Sequence, residues 1–111
     1  MTQVYTGRLL RVDLSCGETS VVSVDQDLLN AYLLGSGLAA RYLLDALAEG
    51  RLPDDPLDPG NTLYVFNGLL TGTLAPTGCR SSWCARAPLT GIWSESNVGG
   101  HWGAELRFSG Y

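Results

Sequence analysis

Residues Gly7–Val24 read GRLLRVDLSCGETSVVSV, and this stretch decides the fold class. Gly7–Ser15 alternates in part, with Leu9 and Val12 set against Arg8, Arg11 and Asp13. Thr19–Val24 is rich in β-branched residues, and Cys16-Gly17-Glu18 lies between the two runs. Two extended runs around a short glycine turn predict a β-hairpin. With no helical stretch between them, the sheet that begins here is antiparallel.

Outward from the hairpin, Asp25 is a candidate helix N-cap, and Asp27 sits where a helix dipole favours an acid. Leu28, Leu29, Tyr32 and Leu33 follow at helical spacing, Gly35-Ser36-Gly37 interrupts, and Leu38, Ala39, Tyr42, Leu43, Ala46 and Leu47 resume a single apolar stripe that Gly50 ends. Residues 51–61, with three prolines, predict a surface loop. Thr62–Asn67 predicts a buried strand, Gly68–Arg80 a Gly/Thr/Pro loop, Ser81–Ala87 a further strand and Gly91–Ser94 a short extended piece. Asn97–Gly110 predicts a glycine-started amphipathic helix anchored by Trp102, Leu106 and Phe108. Strands and helices do not alternate, so the expected class is α+β: mainly antiparallel sheet with two or three helices.

The 111 residues suit one domain or part of one. At 45% hydrophobic and 16% charged, with mean hydropathy +0.07, the chain can bury a core. Soluble domains usually carry ~25% charged residues, so part of this surface is expected to face other protein. The net charge of −4 is uneven: residues 1–58 hold nine acids and four arginines, residues 59–111 two acids and three arginines. Nine of the fourteen glycines fall in that slightly basic second half, where an anion is best received. A pI near 4.6 and the lack of a basic, aromatic-interleaved patch offer little to a phosphate backbone, so no nucleic-acid partner is expected. Leu28–Leu47 is broken by Asn30, Arg41 and Asp45, so no membrane helix is expected. MTQVYTGRLL lacks the pattern of a leader, and Cys16, Cys79 and Cys84 cannot all pair, which together predict a cytoplasmic protein with free thiols.

Gly35–Ala40 (GSGLAA) matches a dinucleotide fingerprint in letters, but that motif needs a strand before it. The preceding residues read as helical, so a helix–helix junction is expected. Cys79 and Cys84 lack zinc spacing and a second ligand pair. His101 has only Glu105 one turn later as an orienting carboxylate, and a surface pair is the simpler account. The most informative region surrounds Arg80. A Gly/Thr/Pro loop can bring bare backbone amides against a ligand, and a guanidinium at its end offers forked donors to an anion. Asn97 with Gly99 and Gly100 forms a second candidate, where a helix is expected to begin. On composition alone, ordinary turns explain both.

Read in order, TGRLLRVDLSCGE (6–18), LGSGLAARYLLDAL (34–47), DPLDPGNTLYVFNGLLTGTLAPTGCR (55–80), RAPLTG (86–91) and SNVGGHWGAELRFSGY (96–111) resemble the start of the tungsten-containing aldehyde:ferredoxin oxidoreductase family. The resemblance runs from Gly7 to Tyr111, and GLLTGTLAPTGCR and GGHWGAELRFSGY are its most specific parts. It implies that 1–111 is a partial N-terminal cofactor-binding domain, the first part of a two-sheet cradle for a bis-pterin tungsten cofactor (molybdenum in some relatives). There the metal is held by pterin dithiolenes, aldehydes become carboxylic acids, and electrons leave through a [4Fe–4S] cluster to ferredoxin.

Residue by residue, Arg80 matches the family arginine that contacts the pterin. Asn97 matches the asparagine whose backbone carbonyl helps bind a bridging Mg2+, and Gly99, followed by Gly100, matches backbone lying against the cofactor. Cys79 and Leu34 depart from the small residue and the glycine that relatives carry. The cluster cysteines and catalytic groups come later in full-length members, so the implied partners are the remainder of the oxidoreductase, ferredoxin and an aldehyde. The isolated segment is expected to be inactive and truncated. A stand-alone, self-associating or assembly module without catalysis, or a remnant without function, remains open at this point.

Overall fold

The computed structural model describes residues 5–111; the first four residues of the segment read for a leader lie outside them. β1 (Arg8–Asp13) and β2 (Glu18–Ser23) form the expected hairpin, with Arg8 opposite Ser23 and Asp13 opposite Glu18. The turn closes through Gly17 N–H on the Asp13 carbonyl at 2.9 Å, with Gly17 at φ +74°. This ribbon is its own two-stranded sheet.

α1 (Gln26–Tyr32) starts at Asp25, whose carboxylate accepts from Asp27 N–H at 2.8 Å, a cap that stabilises a helix by ~1 kcal/mol. α2 (Gly35–Ala48) ends as its glycine predicts. Gly50 adopts φ +67°, its N–H reaches the Leu47 carbonyl at 3.1 Å, and Arg51 N–H reaches that of Ala46 at 2.8 Å, the paired bonds of a Schellman cap. The fingerprint-like GSGLAA therefore opens a helix that follows a helix. Gly37 is needed there for close approach, because a Cβ would lie 2.9 Å from the Tyr32 carbonyl oxygen.

The second sheet is antiparallel, ordered β3 (Tyr64–Asn67), β4 (Ser81–Arg86), β5 (Trp93–Val98). Phe66 and Cys84 on one face join Leu29, Leu38 and Ala39 in the core, with Tyr42 stacked on Phe66 at 5.9 Å. The opposite face meets α3 (Trp102–Phe108), where the Trp83 and Trp102 rings lie 5.1 Å apart. The described residues form two antiparallel sheets and three helices, so the class is α+β as expected.

Three boundaries differ from expectation. Thr62 and Leu63 precede the strand, which starts at Tyr64. The extended piece expected at Gly91–Ser94 is instead a full strand, Trp93–Val98, paired along β4. Asn97 therefore lies in that strand, and the last helix begins at Trp102 rather than Asn97. Ladder hydrogen bonds to β4 outweigh the weak strand propensity of Ser-Glu-Ser-Asn. Nor do all three expected anchors hold α3: Phe108 is 68% exposed, while Gly103 is buried. Small residues let this helix approach the sheet more closely than large ones would.

Arg86, at the far end of β4, secures the proline-rich loop. Its Nε donates to the Gly91 carbonyl at 2.8 Å and its Nη1 to that of Pro53. Large apolar side chains stay outside the core, among them Leu14, Leu74 and Leu89, each at least 90% exposed. Among the described residues, no helix is long and apolar enough to cross a membrane.

Candidate functional site

Ser81 pairs with Val98 and Ser82 with Asn97, so continuing the register by one step sets Arg80 opposite Gly99. A Cβ on Gly99 would sit 3.8 Å from Arg80 Nε and 3.8 Å from Cys79 Sγ. Side chains alternate along each strand, so Asn97 lies on the same face, two residues before Gly99. Its side-chain oxygen accepts from Ser82 Oγ at 3.3 Å, and its amide nitrogen donates to Glu95 Oε1 at 3.3 Å. Arg80, Asn97 and Gly99 thus gather at one end of the β4–β5 pair.

Arg80 and Asn97 are exposed. Among the described residues, no carboxylate or carbonyl pairs with the Arg80 guanidinium. Arg41 is paired with Asp45 at 2.8 Å, Arg8 lies over the Tyr111 ring at 5.1 Å, and Arg86 and Arg107 are held by carbonyls. A planar fork of donors left to solvent beside bare glycine backbone is suited to an anion with several oxygens.

Gly100 turns away from this group. At φ +89°, with nothing within 4 Å of the place a Cβ would take, it opens on a concavity of about 710 Å³ between the Gly68–Arg80 loop and α3. Leu74, Cys79, His101 and Phe108 are among its walls, which are mainly apolar. Gly99 and Gly100 therefore face two adjoining places rather than one. No ion pair joins His101 to Glu105 among the described residues; the contact between them is Glu105 N–H on the His101 carbonyl at 3.0 Å.

The loop that delivers Arg80 is held by residues that sequence reading passed over. Thr71 is buried, and its hydroxyl donates to the Arg80 carbonyl. Arg107 Nη1 donates to the carbonyls of Leu69 at 3.2 Å and Thr71 at 3.1 Å. Asn67 Nδ2 donates to the Gly103 carbonyl at 2.9 Å. In sequence Arg107 is only a charge on a predicted helix, and nothing in its spacing shows that it spans to a loop more than thirty residues earlier.

The thiols stay apart: Cys16 is exposed at the hairpin, Cys79 is half-buried, and Cys84 is buried in the core. Burial, with the Glu95 carboxylate second, pushes the Cys84 thiol up to about 11, so it stays protonated at neutral pH. Among the described residues, no three His, Cys, Asp or Glu side chains come together as metal ligands.

The family described as aldehyde ferredoxin oxidoreductase, N-terminal domain, matches residues 9–111. The chain is similar to the tungsten-containing aldehyde ferredoxin oxidoreductase of Pyrococcus furiosus, 47% identical over 105 residues, covering 95% of this chain and 17% of that protein. It is 46% identical to the protein of the same description from Thermococcus kodakarensis, with the same coverage. Among solved structures, a chain of the active-site complex BamBC of benzoyl coenzyme A reductase with 1,5-dienoyl-CoA matches all of this chain and 16% of its own length. That match has a TM-score of 0.88 and 36% identity. The chain thus spans about one sixth of the length of these relatives.

Proposed function

The chain belongs to the aldehyde ferredoxin oxidoreductase N-terminal domain family, and from that premise we propose that it forms one wall of a site for a bis-pterin tungsten cofactor. Its relatives are tungsten-containing oxidoreductases, which implies a pterin-bound metal. The observation that carries this reading is the Arg80 guanidinium beside Gly99, exposed and without a protein partner among the described residues. Both fit the anionic, many-oxygen end of such a group: the fork supplies donors, and the glycine leaves the backbone open.

In this reading Arg80 would bind and orient the pterin, Gly99 would admit it to the backbone beside that guanidinium, and Gly100 would do so from the adjoining groove. The Asn97 carbonyl would help hold a Mg2+, a hard cation that prefers oxygen. Ser82 and Glu95 steady the Asn97 side chain through their hydrogen bonds. The bound cofactor supplies two-electron redox chemistry, while the protein supplies binding and orientation. The remainder of the oxidoreductase would carry the catalytic groups and the [4Fe–4S] cluster that passes electrons to ferredoxin. An aldehyde and water would become a carboxylic acid with release of two electrons and two protons, in the cytoplasm. A reductase complex with a coenzyme A ligand contains the same domain fold, which supports assigning this segment to cofactor holding rather than substrate choice.

The test is Arg80→Ala in the full-length polypeptide. Tungsten and pterin per chain should fall while the thermal midpoint stays near wild type, because the side chain is exposed. Unchanged occupancy would refute the assigned role.

A second reading, a self-associating or assembly module, draws on the apolar side chains exposed along the β1–β2 ribbon, Val12, Val21 and Val22 among them. A folded monomer in analytical ultracentrifugation at high concentration would end it.

A further inference from the structure

An arginine side chain has several rotatable bonds, so where its guanidinium can reach is set first by its backbone. The Arg80 carbonyl accepts two hydrogen bonds, from Gly68 N–H at 3.1 Å and from the Thr71 hydroxyl. Thr71 is 2% exposed, and each of its polar atoms is engaged. Its N–H donates to the Gly68 carbonyl at 3.0 Å, its hydroxyl to Arg80, and its carbonyl accepts from Arg107 Nη1 at 3.1 Å. Its methyl points at Gly103, where a Cβ would come within 2.9 Å. One threonine therefore ties the start of the loop, its end and α3 together at a single point. A buried hydroxyl is retained at a cost unless its bond is made, and this bond ends on the residue that carries the unpaired guanidinium.

We propose that Thr71 is a positioning residue for Arg80. Its hydroxyl fixes the backbone from which the guanidinium reaches the cofactor, while Arg107 holds the Thr71 main-chain carbonyl from behind. This rests on the cofactor role of Arg80 proposed above. Valine at position 71 keeps the shape and removes the hydroxyl; serine keeps the hydroxyl.

The experiment is a double-mutant cycle in the full-length oxidoreductase, reading pterin and tungsten retained per chain after dialysis, with the thermal midpoint beside it. Thr71→Val should lower retention by about tenfold, the lower end of what outer partners of a bound group cost. Thr71→Ser should stay near wild type. In the Arg80→Ala background, Thr71→Val should cause no further loss, since the guanidinium it places is gone. An undiminished loss in that background overturns the proposal, because Thr71 would then act on the fold alone. Wild-type retention in Thr71→Val, with loss in Arg80→Ala, overturns positioning and leaves the role of Arg80 intact. Full retention in Arg80→Ala itself removes the premise and the proposal together. Should Thr71→Val not accumulate as folded protein, Arg107→Lys replaces it in the same cycle, keeping the charge but losing the paired carbonyl contacts, and is read in the same way.

Discussion

The Asn67 side chain donates to the Gly103 carbonyl at 2.9 Å, and a Cβ on Gly103 would lie 2.8 Å from Asn67 Oδ1. The end of β3 and the start of α3 thus meet at a distance that only glycine permits. Gly103→Ala would raise intrinsic helix propensity by ~1 kcal/mol. The clash with Asn67 and with the Thr71 methyl falls on buried groups, and overpacking costs ~1–3 kcal/mol. We expect a net loss of stability, seen as a lower urea midpoint at unchanged m-value. A higher midpoint would show that α3 shifts freely on the sheet.

Leu33 ends α1 in the left-handed region, at φ 55° and ψ 26°, with its side chain largely in solvent. A non-glycine residue there costs ~1–2 kcal/mol. Leu33→Gly should remove most of that penalty and lose little burial, although glycine costs ~0.5–1 kcal/mol more to order from the unfolded chain. A small rise in thermal midpoint is expected. Leu34, at φ 68° and ψ −166°, is a poorer target, because its side chain also packs on the core.

Cys84 gives stability a pH dependence in the alkaline range. Its thiol is raised from 9.0 to about 11 in the fold, so between these values the unfolded chain has lost the proton and the folded chain keeps it. The unfolded state binds fewer protons, so stability falls as pH rises from about 9 to 11, by ~2–3 kcal/mol in all. The Tyr42 and Tyr64 hydroxyls, raised by burial, add to the decline in the same direction at higher pH. Denaturant midpoints between pH 8 and 11 should fall less steeply in Cys84→Val than in wild type. Parallel curves would refute the assignment.

Local patterns were enough for the hairpin, the capped helices and the α+β class. Hydrophobic period, β-branched runs, Asp25 and Gly50 all act within a few residues of themselves. The GSGLAA junction was legible for the same reason, since its helical flanks exclude a nucleotide turn. The strand at Trp93–Val98 was not legible beyond its first residues: Ser94, Ser96 and Asn97 have little strand preference, and pairing with β4 supplies what they lack. The true packing face of α3 was missed because a period search rewards large apolar residues, and here glycine and an arginine make the contact.

The candidate site divides along the same line. By itself the chain determined that a glycine-rich, weakly basic half carries Arg80, Asn97 and Gly99, and its ordered motifs pointed to one family. Only tertiary structure decided that Arg80 stands beside Gly99, that Gly100 opens on a neighbouring groove, and that Thr71 and Arg107 hold the loop from behind. Strand register and helix docking join residues far apart in the chain, and those energies depend on partners that no local window of sequence contains.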